Sequence, residues 1–119
     1  MKVTKPLFEH KDDKGEFKHI CTGDWKDMNY AFRKNGTWSA DHYHQHTTEL
    51  FYTVYGDCIF EITDVKTGKV TKTRIRKNEI FIVDPYENVK IQYHEDTLFI
   101  MLKDSVYKEN NPDIHKMKK

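Results

Sequence analysis

Hydrophobic and polar positions alternate over short stretches of this chain, and nowhere with a sustained helical period. Cys58, Phe60 and Ile62 alternate with Asp57, Glu61 and Thr63. Val89, Ile91 and Tyr93 alternate with Lys90, Gln92 and His94. A period of two puts one set on a buried face and the other in water, which marks half-buried β-strands. Turn-forming residues separate these runs at Gly15, Asn35-Gly36, Gly56-Asp57, Lys77-Asn78, Asp84-Pro85 and Glu95-Asp96. The pattern predicts strands near 15–21, 28–34, 37–44, 49–55, 58–64, 69–76, 80–83, 88–93 and 97–103. Asp64 to Lys69 reads as a hairpin turn. Asp24 to Met28 has room for one helical turn at most. Many short strands at close spacing predict an all-β sandwich or barrel. The chain reads as one domain over residues 1–119, with 108–119 a polar tail that frays.

Composition narrows the function. The chain has 119 residues, 13% aromatic, which excludes a disordered protein. Yet 37% hydrophobic residues with 5 glycines fall short of the roughly 45–50% apolar share of an average domain. A polar interior cavity or a core completed by a second subunit would explain the shortfall. Twenty Lys and Arg against nineteen Asp and Glu leave no basic excess for nucleic acid. The longest apolar runs, Ile80 to Val83 and Leu98 to Leu102, are far shorter than a helical membrane span of about 20 residues. The start, Met1 to Pro6, has no apolar export segment, so a cytoplasmic protein is expected. Cys21 and Cys58 then read as inert reduced thiols.

The informative excess is histidine, with seven residues, three of them at His42, His44 and His46. On a strand, His42 and His44 share a face, with Cα atoms roughly 6.6–7 Å apart. Glu49 follows a short turn and opens the next strand. If the two strands pair, its carboxylate reaches the same place. Two imidazoles and a carboxylate leave open coordination positions and suit one divalent transition metal: Zn, Fe, Mn or Ni. No organic cofactor is expected. His46 reads as a solvated turn residue, and His94 as pointing outward.

The spacing G-x5-H-x-H-x4-E-x6-G is met in full by Gly36, His42, His44, Glu49 and Gly56. It resembles the first motif of the cupin superfamily. The resemblance implies a small antiparallel jelly-roll barrel with the motif at its mouth. The second cupin motif is degraded: Asn78 stands for its first glycine, and Tyr86 or Glu87 for its second. Its histidine falls on Val89, or on Lys90 with a one-residue slip, so the family's fourth ligand is missing.

A weaker resemblance spans about residues 8–114. Asp13-Lys14-Gly15-x-Phe17, His42-Tyr43, Glu49-x-Phe51, Val83-Asp84-x-Tyr86 and Asn111-Pro112-Asp113 are similar to sugar-nucleotide cupins. These include dTDP-keto-sugar epimerases and isomerases and the cupin domain of capsular-polysaccharide reductases. The resemblance implies substrate binding by Lys14, which stands for an arginine that contacts phosphate but lacks its bidentate fork. It also implies catalysis at the histidine pair, with His42 as general base removing a proton alpha to a ketone. A tyrosine returns a proton on the other face, and Tyr30, Tyr52, Tyr93 and Tyr107 remain open for that role. Tyr52 and Tyr93 are also expected to bind substrate. Asp57 and Asp84 are candidates for the carboxylate that orients His42.

Three readings follow. The leading one is an isomerase or epimerase acting on a keto-sugar nucleotide in surface-glycan synthesis. The others are a metal-dependent, dioxygenase-like cupin using His42, His44 and Glu49, and a non-catalytic barrel binding a sugar or other small ligand. A homodimer is expected, since cupins often dimerise. Trp25 and Trp38 are candidates for ligand stacking or for packing. Lys72, Arg74, Arg76 and Lys77 read as a solvated outer face.

Overall fold

The computed structural model describes residues 3–118; Met1, Lys2 and Lys119, at the ends of the predicted domain and tail, lie outside it. It has eleven strands: β1 (Val3–Thr4), β2 (Phe8–Asp12), β3 (Gly15–His19), β4 (Asp27–Arg33), β5 (Trp38–His42), β6 (Glu49–Tyr55), β7 (Asp57–Asp64), β8 (Val70–Arg76), β9 (Ile80–Val83), β10 (Glu87–Tyr93) and β11 (Thr97–Lys103). All pairings are antiparallel. One sheet has the order β1-β9-β6-β11-β4, a second β5-β10-β7-β8, and β2-β3 forms a separate hairpin. This is the expected all-β jelly roll. Among the described residues no helix is long and apolar enough to cross a membrane.

Nine of these strands lie where the alternation predicts them. The two that it misses, β1 and β2, carry no alternating apolar face. β1 is two residues long, and every residue of β2 is exposed. The two large sheets close on one aromatic cluster. Phe60 of β7 stacks on Phe81 of β9 at 4.8 Å, and meets Phe51 of β6 and Phe99 of β11 edge-on. Each of these rings is at most 4% exposed. Phe60 thus joins the four-stranded sheet to three strands of the other, and edge-to-face geometry adds to the gain from burial.

Two local features position the candidate site. The strand predicted over 37–44 is shorter, Trp38–His42, and within it Ala40 and Asp41 take φ of 71° and 76°. The β5–β10 register shifts between Val89 and Lys90, so His42 faces Val89 while Ser39 faces Ile91. This bulge changes the phase of β5. It turns His42 inward with the buried Val89 and Ile91, and leaves Trp38 outward, 57% exposed, under the Lys90 ammonium. Uninterrupted alternation would have put Trp38 and His42 on the same face.

The second feature is Gly56, the last residue of the histidine motif, which has φ of 119°. A Cβ placed there would lie 2.6 Å from the Thr97 Cα, inside van der Waals contact. Gly56→Ala should therefore destabilise the fold by about 3 kcal/mol, from left-handed strain and overpacking. Urea denaturation measures this; a loss under about 0.5 kcal/mol, the level of an ordinary surface substitution, would contradict the reading.

Candidate functional site

A cavity of about 430 Å³ opens between the two large sheets, lined by residues that include Tyr30, Arg33, His42, Glu49, Tyr93 and Lys103. Alternation explains its walls. On β11 the inward positions Phe99, Met101 and Lys103 carry the core face out to a charged end, and on β4 the inward set is Asn29, Ala31 and Arg33. Val89, at the position where the second cupin motif has its histidine, lines the same cavity. The missing fourth ligand is thus an apolar side chain facing the site.

His42 and Glu49 both line this cavity, as the motif predicts, whereas His44 does not. His44 lies behind them, 3% exposed, with its ring 5.4 Å from that of His42. Its Nδ1–H donates to the Asp113 carbonyl, which fixes the tautomer, because a carbonyl can only accept. Its Nε2 then faces Glu49 Oε1 at 3.5 Å, an ion pair too long for a good hydrogen bond. Burial works against a charge on His44. The Glu49 carboxylate and the Asp113 carbonyl outweigh it, so the pKa lies above the ordinary histidine value. His42 moves the other way: burial and then the neighbouring His44 push it down, with only partial relief from Glu49. A neutral imidazole at neutral pH, with Nδ1 buried and without a hydrogen-bond partner, is the result.

The donors His42 Nδ1, His44 Nε2 and Glu49 match a divalent transition ion in kind. Both nitrogens are buried without a hydrogen-bond partner, and carbonyl-fixed tautomers are common in metal-ligating histidines. Among the described residues, however, no three such side chains are drawn together closely enough to hold an ion. The other oxygen of Glu49, Oε2, lies 4.0 Å from the Lys103 ammonium.

The remaining candidates are scattered. Tyr93 lines the cavity, with its hydroxyl on Ser39, and burial raises its pKa so that it keeps its proton. Tyr52, expected to bind substrate, does not: its hydroxyl donates to Asn78 and its ring packs with Leu50 and Ile80 on the other side of the sheet. Facing positions on β6 alternate, so Glu49 and Phe51 turn to the cavity and Tyr52 turns away. Lys14 sits exposed at the β2–β3 turn and is not part of the cavity wall. Arg33 and Lys103 are the cations there; the inward alternation of β4 and β11 held that signal. Asp57 is paired with Arg74 on the outer face and Asp84 is exposed, so neither orients His42. His94 is exposed, and Cys58 is buried with its thiol pushed up to about 12. Trp25 packs against Leu50, Tyr52 and Ile80.

The C-terminal segment does not fray as its polarity suggests. The Asp113 carboxylate accepts from the Gln45 and His46 amides at 2.8 Å, from Thr47 Oγ1 at 2.9 Å and from His115 Nε2 at 2.9 Å. Tyr43 and His115 exchange two backbone hydrogen bonds, and Tyr107 and Ile114 wall the cavity. Sequence reading missed this strap because its contacts span almost 70 residues.

A family described as the polysaccharide biosynthesis C-terminal domain matches residues 10–115. The chain belongs to this family. Solved structures similar to this polysaccharide biosynthesis domain include the capsular polysaccharide assembling protein CapF from Staphylococcus aureus, at 22% identity and TM-score 0.73, covering 98% of this chain and 34% of that one. Another is dTDP-4-dehydrorhamnose 3,5-epimerase from Sulfolobus tokodaii, at 17% identity and TM-score 0.79, covering 91% and 72%. A third is the TDP-fucose-3,4-ketoisomerase WlaRA from Campylobacter jejuni, at 16% identity and TM-score 0.76, covering 96% and 88%. At these identities the likeness establishes the fold, a cupin jelly roll. The domain spans about a third of the CapF chain that it matches. No curated protein matches the sequence.

Asp113→Ala should cost about 2–3 kcal/mol at pH 7, since hydrogen bonds to a charged acceptor are the strong ones. Burial raises the Asp113 pKa, but the amides of Gln45 and His46 and the Thr47 hydroxyl hold it well below the usual carboxylate range. A depressed folded pKa contributes stability above the unfolded value of about 4, and that contribution is lost as pH falls further. Wild type should therefore lose its advantage over Asp113→Asn below pH ~4. Paired denaturation curves from pH 7 to pH 2 check this; a constant difference contradicts it.

Proposed function

We propose that this domain is an isomerase or epimerase of keto-sugar nucleotides in polysaccharide synthesis. The observation that carries the reading is His42: an imidazole held neutral at the wall of a 430 Å³ cavity that also presents cations and phenols. The cavity volume lies within the range of small-molecule sites. His42 takes the proton alpha to the substrate ketone, breaking a C–H bond and leaving an enolate. Lys103 and Arg33 supply positive charge for the enolate oxygen and the nucleotide phosphates. Tyr93 and Tyr107 are the cavity phenols available to return a proton. The likeness to a dTDP-4-dehydrorhamnose 3,5-epimerase and a TDP-fucose-3,4-ketoisomerase supports the substrate class.

A second reading is favoured by the two orphaned nitrogens. In it, His42, His44 and Glu49 would be the residues to hold one divalent transition metal, which would supply Lewis-acid polarisation of a substrate carbonyl, although they are not drawn together closely enough here to hold one. A homodimer also belongs to the proposal. Met28, Tyr30 and Phe32 on the edge strand β4 are 74%, 69% and 40% exposed, an apolar row that a second copy would cover.

A thermal-shift series with dTDP-, UDP- and GDP-sugars should show stabilisation by at least one of them. With a dTDP-4-keto-sugar in D2O, wild type should incorporate deuterium beside the ketone. His42→Ala should slow that exchange at least ~100-fold while still binding nucleotide. No stabilisation and no exchange would sink the reading. Phenylalanine substitutions at Tyr93 and Tyr107 identify the acid. Sedimentation of wild type should give the dimer mass, and Tyr30→Glu the monomer.

A further inference from the structure

We infer that the outer face of the four-stranded sheet carries a second binding site, a Trp38 platform for a neutral oligosaccharide. The site is separate from the cavity of His42 and does not depend on the chemistry there. The bulge in β5 that turns His42 inward leaves Trp38 on the opposite face, 57% exposed. The indole borders a hollow of about 250 Å³ together with Asn35, Thr37, Gln92 and His94. Gln92 is its direct partner across the β5–β10 pair, so the two side chains share one face. The turn 34–37 forms one wall and is held at three points. The Gly36 amide donates to the Tyr93 carbonyl at 2.9 Å, the Tyr93 amide to the Thr37 carbonyl at 3.0 Å, and the Asn35 amide to Asp96 Oδ1 at 2.9 Å. The wall is therefore fixed before any ligand arrives, which keeps the ordering cost of binding low.

The chemistry of the wall selects the ligand. The negative face of an exposed indole attracts the axial C–H bonds of a pyranose ring, and the two flat apolar surfaces match. The Lys90 ammonium stands 4.8 Å from the Trp38 ring centroid, which commits one face of the indole and leaves the other for stacking. Beside it, the Asn35 and Gln92 amides offer donors and acceptors together, and the Thr37 hydroxyl, which donates to the Lys34 carbonyl, keeps lone pairs to accept. Mixed donors and acceptors suit vicinal hydroxyls, each of which gives and takes a hydrogen bond. Among the described residues the wall holds no lysine or arginine. Cations nearby on β8 are taken: Lys72 pairs with Glu61 at 3.7 Å, and Arg74 Nε donates to Asp57 at 2.9 Å. A nucleoside diphosphate gains little from such a wall, in contrast to the cavity that presents Arg33 and Lys103. Size points the same way, since 250 Å³ lies below the roughly 300–1,000 Å³ of drug-sized ligand sites and suits a single sugar ring. A smaller hollow bordered by Glu61, Lys72 and Lys90 shares Gln92, so a chain of sugars can continue along the sheet.

Saturation-transfer NMR on the full chain tests this, with neutral di- to hexasaccharides of hexose, deoxyhexose and N-acetylhexosamine as probes. At least one probe should receive saturation at its ring protons. Titration of that probe should show affinity at least ~10-fold weaker for Trp38→Ala, the loss of a stacking anchor. Trp38→Phe keeps an aromatic face and should retain part of the affinity, and Gln92→Ala should lose part of it. Circular dichroism and melting curves establish that each variant is folded. Silence from every probe overturns the inference. Equal binding to wild type and Trp38→Ala places the sugar elsewhere and overturns it too. Transfer to dTDP that Trp38→Ala abolishes makes this a nucleotide site, and overturns the inference as well. Conversion of a dimer to monomer by Trp38→Ala, with no probe bound, identifies a subunit contact instead. None of these readouts uses the deuterium exchange expected at His42, so the two readings fail separately.

Discussion

Glu49 opens a strand whose first five residues are all buried, and its carboxylate must be neutralised there. An isolated carboxylate moved out of water costs several kcal/mol, so it persists only with cations or donors around it. The site can be read as the answer to that constraint. His44 stands on one oxygen and Lys103 on the other. His44 can serve because its far nitrogen is held by the Asp113 carbonyl. Asp113 in turn is fixed by the 45–47 turn that its own carboxylate organises. Positions 44–49, 103 and 113 form one chain of dependence, and His42 is left facing the cavity with a free nitrogen.

This arrangement separates the two histidines of the motif into different roles. His44 is the buried, carbonyl-anchored partner of Glu49, with its pKa above the ordinary value. His42 lies at the cavity wall and its pKa is below it. Groups whose environments push their pKa values apart in this way suit acid–base roles. The same geometry explains how a cupin motif lacking its fourth histidine keeps a polar site. Lys103 contributes the charge, and Val89 closes the position that a ligand would fill.

Much of this was legible in the sequence. The alternation of apolar residues located nine strands, since burial of one sheet face imposes a period of two. The spacing of Gly36, His42, His44, Glu49 and Gly56 pointed to the site, and Gly56 proved to be required by its left-handed backbone against Thr97. The parts that were not legible share one cause. Tyr52 lies on the far side of β6 from the cavity, and the spacing of the motif does not specify which face of β6 turns inward. Lys14 matches a position in the family pattern, yet in this chain it lies at an exposed hairpin turn. The tail looked free because Asp113 bonds to residues that are almost 70 positions away.

By itself, then, the sequence determined the fold class, the strand positions and the residue types that gather at the cavity. Those follow from local rules: alternation, turn chemistry and motif spacing. Only the tertiary structure decided which histidine faces the cavity, which cation neutralises Glu49 and what holds the C-terminal strap. A bulge at Ala40–Asp41 sets the first, cross-strand register sets the second, and a buried carboxylate's demand for donors sets the third. Each is a long-range pairing between segments, and no local pattern of residues encodes its partner.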